Sequence, residues 1–412
     1  MQIMLFAVIV RNRMFVAGRF IQEKLNSVLK KLKRFIRRIA ECAELVFCKL
    51  FFGKSGRKCA GKIILIQNSH LGDFVLSLPF FERLKNECKL PLVLVSDHRI
   101  RELADASGIF DEFIGIDFKR ASSYKHLICR WKTLIKLRKL SAEKAIQCFG
   151  VGKTGLEDCM LAVIKAPEKY VFVDNFYNVQ RSGTFYEALR VKFFNKALPY
   201  RLELSLAANE NNFATFITGN EKTVDIGDLE MFEPLPPPDA DFRRYCLIIP
   251  GADDPRRRWE AGKFAWLASQ VVAEQQLDLL ISGSPAEQEI VKKVYDLLPE
   301  EVQKKAQIRA ANGDKLASIK QLMSDIKHAD LLLTNDTGPM HIAAKYGTRT
   351  LCITGGWHWG IFAPCKEYKS VKFVNKEMSC YNCGSFCKYQ TTPFKCLQEL
   401  SAEKVYEVQS DL

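Results

Sequence analysis

A chain of 412 residues is too long for one small core and suits two domains of ordinary size with an extension. The composition, 48% hydrophobic and 26% charged without a low-complexity tract, excludes a disordered or fibrous protein, and no apolar run reaches the length that spans a bilayer. The net charge of +14 is uneven: residues 1–60 hold fourteen Lys/Arg against three Glu, which leaves only +3 for residues 61–412.

The opening apolar run, Met1 to Val10, is cut short by Arg11 and Arg13. A secretory signal carries its charge before the apolar run, so export is not expected and the chain is assigned to the cytoplasm. Within the extension, Ile21, Leu25, Val28, Leu32, Phe35, Ile36 and Ile39 recur at helical spacing, and Lys24, Lys30, Lys31, Lys33, Arg34, Arg37 and Arg38 fill most of the remaining wheel. A basic amphipathic helix of this kind suits the interface of an anionic membrane. A helix packed on the main body and a nucleic-acid arm are the alternatives; the aromatic and aliphatic content is high for the latter, and no nucleic-acid partner is expected.

The first domain, 61–231, opens with an apolar strand at Lys62–Ile66, a polar turn through Leu71-Gly72-Asp73, and an apolar helix. Strands are predicted at Leu92–Ser96, Phe113–Ile116 and Lys144–Phe149, with helices around Arg99–Ser107, Tyr124–Leu140 and Ser182–Asn195. Gly150, Gly152 and Gly155 read as a tight glycine-rich loop, and 170–228 is the least legible stretch. Phe232-Glu233-Pro234-Leu235-Pro236-Pro237-Pro238 marks a stiff linker over 232–240.

The second domain, 241–375, begins with the strand Tyr245–Ile249 and the turn Pro250-Gly251-Ala252-Asp253-Asp254. Strands at Leu277–Ser282 and Gln307–Ala310 alternate with helices from Ala261, Ala286 and Leu316. Leu331–Thr334 is a further strand; it turns at Asn335-Asp336-Thr337-Gly338 into a helix carrying Met340, His341, Ile342 and Ala343, and the strand Thr350–Thr354 follows. Free amides and the positive end of the helix dipole meet at that turn, which suits a phosphate. Alternation in both halves predicts an α/β protein of two doubly wound, Rossmann-like domains facing across a cleft. Residues 376–412 form a cysteine-containing tail and closing helix.

Leu71-Gly72-Asp73 after the first strand and Asp336-Thr337-Gly338-Pro339-Met340-His341-Ile342-Ala343 in the second domain together resemble glycosyltransferase family 9, the heptosyltransferases of bacterial lipopolysaccharide assembly. The resemblance spans about residues 61–410, judged by motif order and spacing. It implies the GT-B fold, with the acceptor on the N-terminal domain and a nucleotide-diphosphate sugar, ADP-heptose in the lipopolysaccharide enzymes, on the C-terminal one. It also implies an inverting transfer to a lipopolysaccharide-type lipid acceptor at the inner-membrane surface, without a catalytic cofactor. The same fold transferring another sugar to another surface glycan, or a catalytically idle nucleotide-sugar binder, is the alternative.

By the resemblance Asp73 is the base that takes the acceptor proton. Family members carry a Lys two residues before a Trp in the loop that follows; here Arg257 holds that place within Arg256-Arg257-Arg258-Trp259. Arg keeps the charge and grips phosphate bidentately, but its reach differs from that of Lys. Arg257 and Arg258 are the candidate diphosphate contacts. Asp336, Thr337 and Gly338 supply the phosphate turn, with Asp336 either bracing the loop or meeting a sugar hydroxyl. His341 is either a ligand contact or a satisfied buried histidine. Glu287 matches an acidic residue near the ribose and equally suits a first-turn helix position. Trp357, His358, Trp359 and Pro364 resemble the loop beside the transferred sugar.

Four of the 14 cysteines cluster as Cys380, Cys383, Cys387 and Cys396. The C-x2-C-x3-C-x8-C spacing suits a structural tetrathiolate site for zinc or iron, and packed free thiols are the other reading.

Overall fold

The computed structural model describes residues 28–29, 32–33, 35–52, 61–148, 154–173, 184–201, 203–221, 244–309, 319–357, 359–360, 368–384 and 386–409. Twelve strands among them form two six-stranded sheets, every ladder parallel. The first holds β1 (Ile63–Gln67), β2 (Leu92–Asp97), β3 (Glu112–Ile116), β4 (Lys144–Gln147), β5 (Glu168–Val173) and β6 (Lys196–Pro199) in the order β3-β2-β1-β4-β5-β6. The second holds β7 (Tyr245–Ile249), β8 (Asp278–Ser282), β9 (Ala306–Arg309), β10 (Leu331–Asn335), β11 (Thr350–Ile353) and β12 (Val371–Val374), ordered β12-β11-β10-β7-β8-β9. Counted from its own first strand, the second sheet repeats the first. Each therefore reverses direction once, between β1 and β4 and between β7 and β10, and ligands bind outside the carboxyl ends of strands at such a crevice.

Both central strands are buried on both faces, as apolar runs such as Ile63-Ile64-Leu65-Ile66 require when helices cover a parallel sheet. Counting helices longer than one turn, the first unit carries α1 (35–47, continuing into a π-helical turn at Cys48–Phe52), α2 (Leu71–Cys88), α3 (Arg101–Ala106), α4 (Leu127–Arg138), α5 (Thr154–Val163), α6 (Thr184–Phe193) and α7 (Leu206–Thr218). The second carries α8 (Ala261–Gln275), α9 (Gln288–Asp296), α10 (Ile319–Lys327), α11 (Gly338–Tyr346) and α12 (Ala402–Gln409).

Ile63 and Leu65 turn toward α2, α3 and α7; Ile64 and Ile66 turn toward α1, α4, α5 and α6. The first of these cores runs without interruption into the second domain through Met340, Ile342 and Leu332. α12 returns to pack against α8. No helix among the described residues is long and apolar enough to cross a membrane.

The sequence expectation of two doubly wound units holds, and the expected strands lie within two residues of those observed. β5, β6, β12, α5 and α7 went unread. β6 (Lys-Ala-Leu-Pro) and β12 (Val-Lys-Phe-Val) are four-residue edge strands with polar or proline positions, which carry little alternation. Gly155 lies inside α5 instead of a loop, its Cα against the Glu41 side chain. Gly150, Gly152 and the proline-rich linker lie outside the described residues.

Candidate active site

Four loops meet where the two crevices face each other: those after β1, β7, β10 and β11. The β1 loop ends at His70, and Asp73 occupies the first turn of α2, its Oδ2 accepting from the His70 amide at 3.4 Å. Burial pushes the Asp73 carboxyl above the usual carboxylate range; His70 and Arg257 pull it back and Asp336 raises it further. Two of those four influences come from the second domain, so Asp73 looks directly across the cleft. His70 Nδ1 stands 3.7 Å from Asp253 Oδ2 on the facing turn.

The second-domain side is built around three consecutive arginines with three different partners. Arg256 grips the carboxylate of Asp254 through Nε and an Nη (2.6–3.1 Å) and lies over the Phe394 ring. Arg258 donates from Nε to the Ala252 carbonyl at 2.8 Å. Both brace their own loop. Arg257 reaches the crevice: an Nη donates to the Asp336 carbonyl at 2.6 Å, and its guanidinium lies 4.9 Å over the Trp357 ring. Its Nε is buried without a hydrogen-bond partner among the described residues. A buried donor left open costs free energy, and a phosphate oxygen would satisfy it.

Asn335, the last residue of β10, ties the turns together. Its Nδ2 donates to the Pro250 and Gly251 carbonyls at 2.7 and 3.2 Å, and its Oδ1 accepts from the Trp259 amide at 3.0 Å. Asp336 accepts from Thr354 Oγ1 at 3.2 Å and lies 3.6 Å from an Arg257 Nη, so it braces the loop. Thr337 precedes α11 in extended geometry, its hydroxyl turned back to the Asn335 carbonyl, and leaves the first amides of the helix uncapped by any side chain. Gly338 lies against the backbone of Gly72 and the side chain of Leu71, where the two domains touch.

His341 is buried, with Nδ1 3.2 Å from the Tyr368 hydroxyl, and burial lowers its pKa to about 4. It packs at the domain contact, against Gly72 of the first domain. Glu287 accepts from the Ser284 amide at 2.8 Å and presses on the Gly251 backbone, so close that no Cβ fits there. Its carboxylate supports the turn that follows β7. Trp357 is buried beside Phe394, while His358 and Pro364 lie outside the described residues.

Cys380, Cys383, Cys387 and Cys396 line one pocket with Gly356, Trp357 and Phe394. None of the four is in a disulfide, and no three His, Cys, Asp or Glu among the described residues are drawn close enough to hold a metal ion. The pocket joins the crevice from behind: the Phe394 amide donates to the Arg256 carbonyl at 2.7 Å and the Gly384 amide to the Trp357 carbonyl at 3.0 Å.

Residues 199–390 match the family model Glycosyltransferase family 9 (heptosyltransferase). Over these residues the chain is similar to glycosyltransferase family 9. It is 25% identical over 363 residues to lipooligosaccharide heptosyltransferase 2 of Campylobacter jejuni, covering 85% of this chain and 98% of that relative. A family 9 glycosyltransferase from Veillonella parvula superposes with a TM-score of 0.64 at 18% identity, covering 87% of this chain and 98% of the other. E. coli heptosyltransferase WaaC with ADP-2-deoxy-2-fluoro heptose superposes at 0.61 and 15%, covering 85% and 99%. This glycosyltransferase therefore has the GT-B architecture, its two Rossmann-like units set crevice to crevice.

Sequence reading missed Asn335 and Tyr368. Asn335 was visible as a polar residue ending an apolar strand; Tyr368 is distant in sequence from any motif and carried no signal.

Proposed function

We propose that this glycosyltransferase moves heptose from ADP-heptose to a hydroxyl of a lipopolysaccharide core acceptor, inverting the anomeric carbon. One observation carries the reading: the Asp73 turn of the first domain packs on the Gly338 turn of the second, near enough for the charges of Arg257 and Asp336 to act on Asp73. The C. jejuni relative named as a lipooligosaccharide heptosyltransferase, and the shared fold with WaaC, solved with an ADP-heptose analogue, support the donor and acceptor class.

Asp73 takes the proton of the acceptor hydroxyl as its oxygen bonds to the anomeric carbon. The bond from that carbon to the diphosphate breaks with its electron pair, and ADP leaves. A carboxylate raised above its usual range is a better base for this than an exposed one. The partly exposed Arg257 guanidinium and the first amides of α11 meet the charge that develops on the leaving diphosphate. Arg258, Asp336 and Glu287 hold the loops, and Thr337 and Gly338 present the amides. A lipid-linked acceptor puts the reaction at the cytoplasmic face of the inner membrane.

The four tail cysteines are proposed to hold one structural zinc or iron, the sulfurs closing in as the metal binds. A soft ion suits an all-thiolate donor set, and its place behind the loops gives it no part in the chemistry.

Purified protein supplied with ADP-heptose and a heptose-free core acceptor should add one heptose by mass spectrometry and release ADP. NMR of the product should show the anomeric configuration opposite to that of the donor. Transfer only from a different nucleotide sugar would overturn the donor assignment, and retained configuration would overturn the mechanism.

A further inference from the structure

The face of the first domain that carries α1 and α4 has the wrong chemistry for open water. Ile128 and Ile135 on α4 are 75% and 51% exposed, and Leu50 and Phe51, past the end of α1, are each 63% exposed. These residues share one surface: Ile128, Trp131 and Ile135 follow one helix face at i, i+3 and i+7, and the Phe47 ring packs edge-on against Trp131 at 5.6 Å. The two helices are pinned by a buried ion pair, Arg130 to Glu44 at 2.5 and 2.6 Å, with Tyr124 donating to the same carboxylate. Farther along, Arg138 lies 4.5 Å over the Phe52 ring.

The charge along α4 and its flanks has one sign. Residues 119–142 contain eight Lys/Arg and no Asp or Glu, and Lys132, Lys136, Arg138 and Lys139 are exposed. Lys33 precedes α1, and α1 runs past the N-terminus of α5, where Glu41, paired with Arg37 at 2.8 Å, touches Gly155. α5 follows β4 and so begins at the cleft edge of the sheet. Beyond that level Leu32, Phe35, Ile36 and Ile39 are all exposed.

We propose that α1 and α4 together form one seat for an anionic lipid bilayer, which brings the acceptor side of the cleft down to the membrane. The proposal extends to α4 what the sequence assigned to the extension alone, and its purpose rests on the lipid-linked acceptor proposed above. Exposed isoleucines flanked by lysines match an interface where acyl chains lie beneath anionic headgroups. Nucleic acid would meet the lysines but leave Ile128 and Ile135 in water.

Flotation of the full chain with vesicles of phosphatidylcholine and phosphatidylglycerol tests this, against vesicles of phosphatidylcholine alone. The unaltered chain should float with the anionic vesicles and release in high salt. I128S/I135S should weaken binding at least about tenfold with α1 untouched. K132E/K136E should do the same through charge. Both should keep the unaltered melting temperature and full turnover on a truncated, water-soluble acceptor. Flotation undiminished by either pair, equal flotation with neutral vesicles, or tight RNA binding lost in K132E/K136E but kept in I128S/I135S would overturn the proposal. A chain that floats as expected yet transfers no heptose would count against the donor reading and leave the seat supported.

Discussion

His341 packs against Gly72 across the domain boundary with no room for a side chain between them: a Cβ at Gly72 would stand 2.7 Å from His341 Cδ2 and 3.3 Å from the Gly338 Cα. The base-bearing turn and the phosphate turn thus register directly on each other. G72A must push α2 and α11 apart by a few tenths of an ångström, and catalytic geometry tolerates little of that. Turnover should fall about ten- to a hundredfold with donor affinity nearly kept, read from kcat and KM separately. An unchanged kcat would show that the contact does not set the active geometry.

Asp73→Asn keeps the shape of the turn and removes the base. Turnover should drop by about two to four orders of magnitude while ADP binding and melting temperature hold. Activity requires the ionised form and burial raises the pKa, so the acid limb of the rate profile should lie above the usual carboxylate range. His70 opposes that shift, and His70→Ala should move the limb to still higher pH. A limb that stays put in His70→Ala would detach the profile from Asp73.

Arg257→Ala should weaken ADP binding far more than adenosine binding, because the contact proposed for its guanidinium is to the diphosphate. Titration calorimetry with both ligands separates the two effects. Equal losses would make Arg257 a packing residue on Trp357.

Glu210 is buried, and its Oε1 accepts from Ser77 Oγ at 2.5 Å. Burial, with Asp73 adding, pushes its pKa up to about 8 from 4.5. The folded form holds the proton that the unfolded chain gives up, so stability is full below the unfolded pKa and is lost as pH rises through the folded one. Glu210→Gln should therefore stabilise increasingly from about pH 5 to about pH 8, by up to a few kcal/mol. A melting difference that does not vary with pH would show that the carboxyl is ionised in the fold.

How far the chain could be read follows from where its information is local. Strands buried on both faces print as apolar runs, and the turns after β1 and β10 carry their chemistry in consecutive residues, so Asp73 and Asp336 to Gly338 were legible together with the fold. Which of three adjacent arginines faces the cleft was not, because Asp254 and the Ala252 carbonyl decide it by claiming Arg256 and Arg258. The packing of His341 was not legible either, because its partner Gly72 comes from the other domain. α4 read simply as a basic helix; its apolar face gained meaning when Phe47 was found on Trp131.

The cysteine pocket gives the last expectation. Cys380, Cys383, Cys387 and Cys396 surround one pocket whose far wall is Trp357, the ring beneath Arg257. Protein purified anaerobically without chelator should carry about one zinc or iron per chain, since a tetrahedral site uses all four thiolates. Removing the metal should lower the melting temperature, because binding energy at such a site is folding energy. It should also raise the KM for donor through Trp357 and Arg257, while the acid limb governed by Asp73 stays where it was. Metal-free protein with four freely titratable thiols and an unchanged melting temperature would return the cluster to packed thiols.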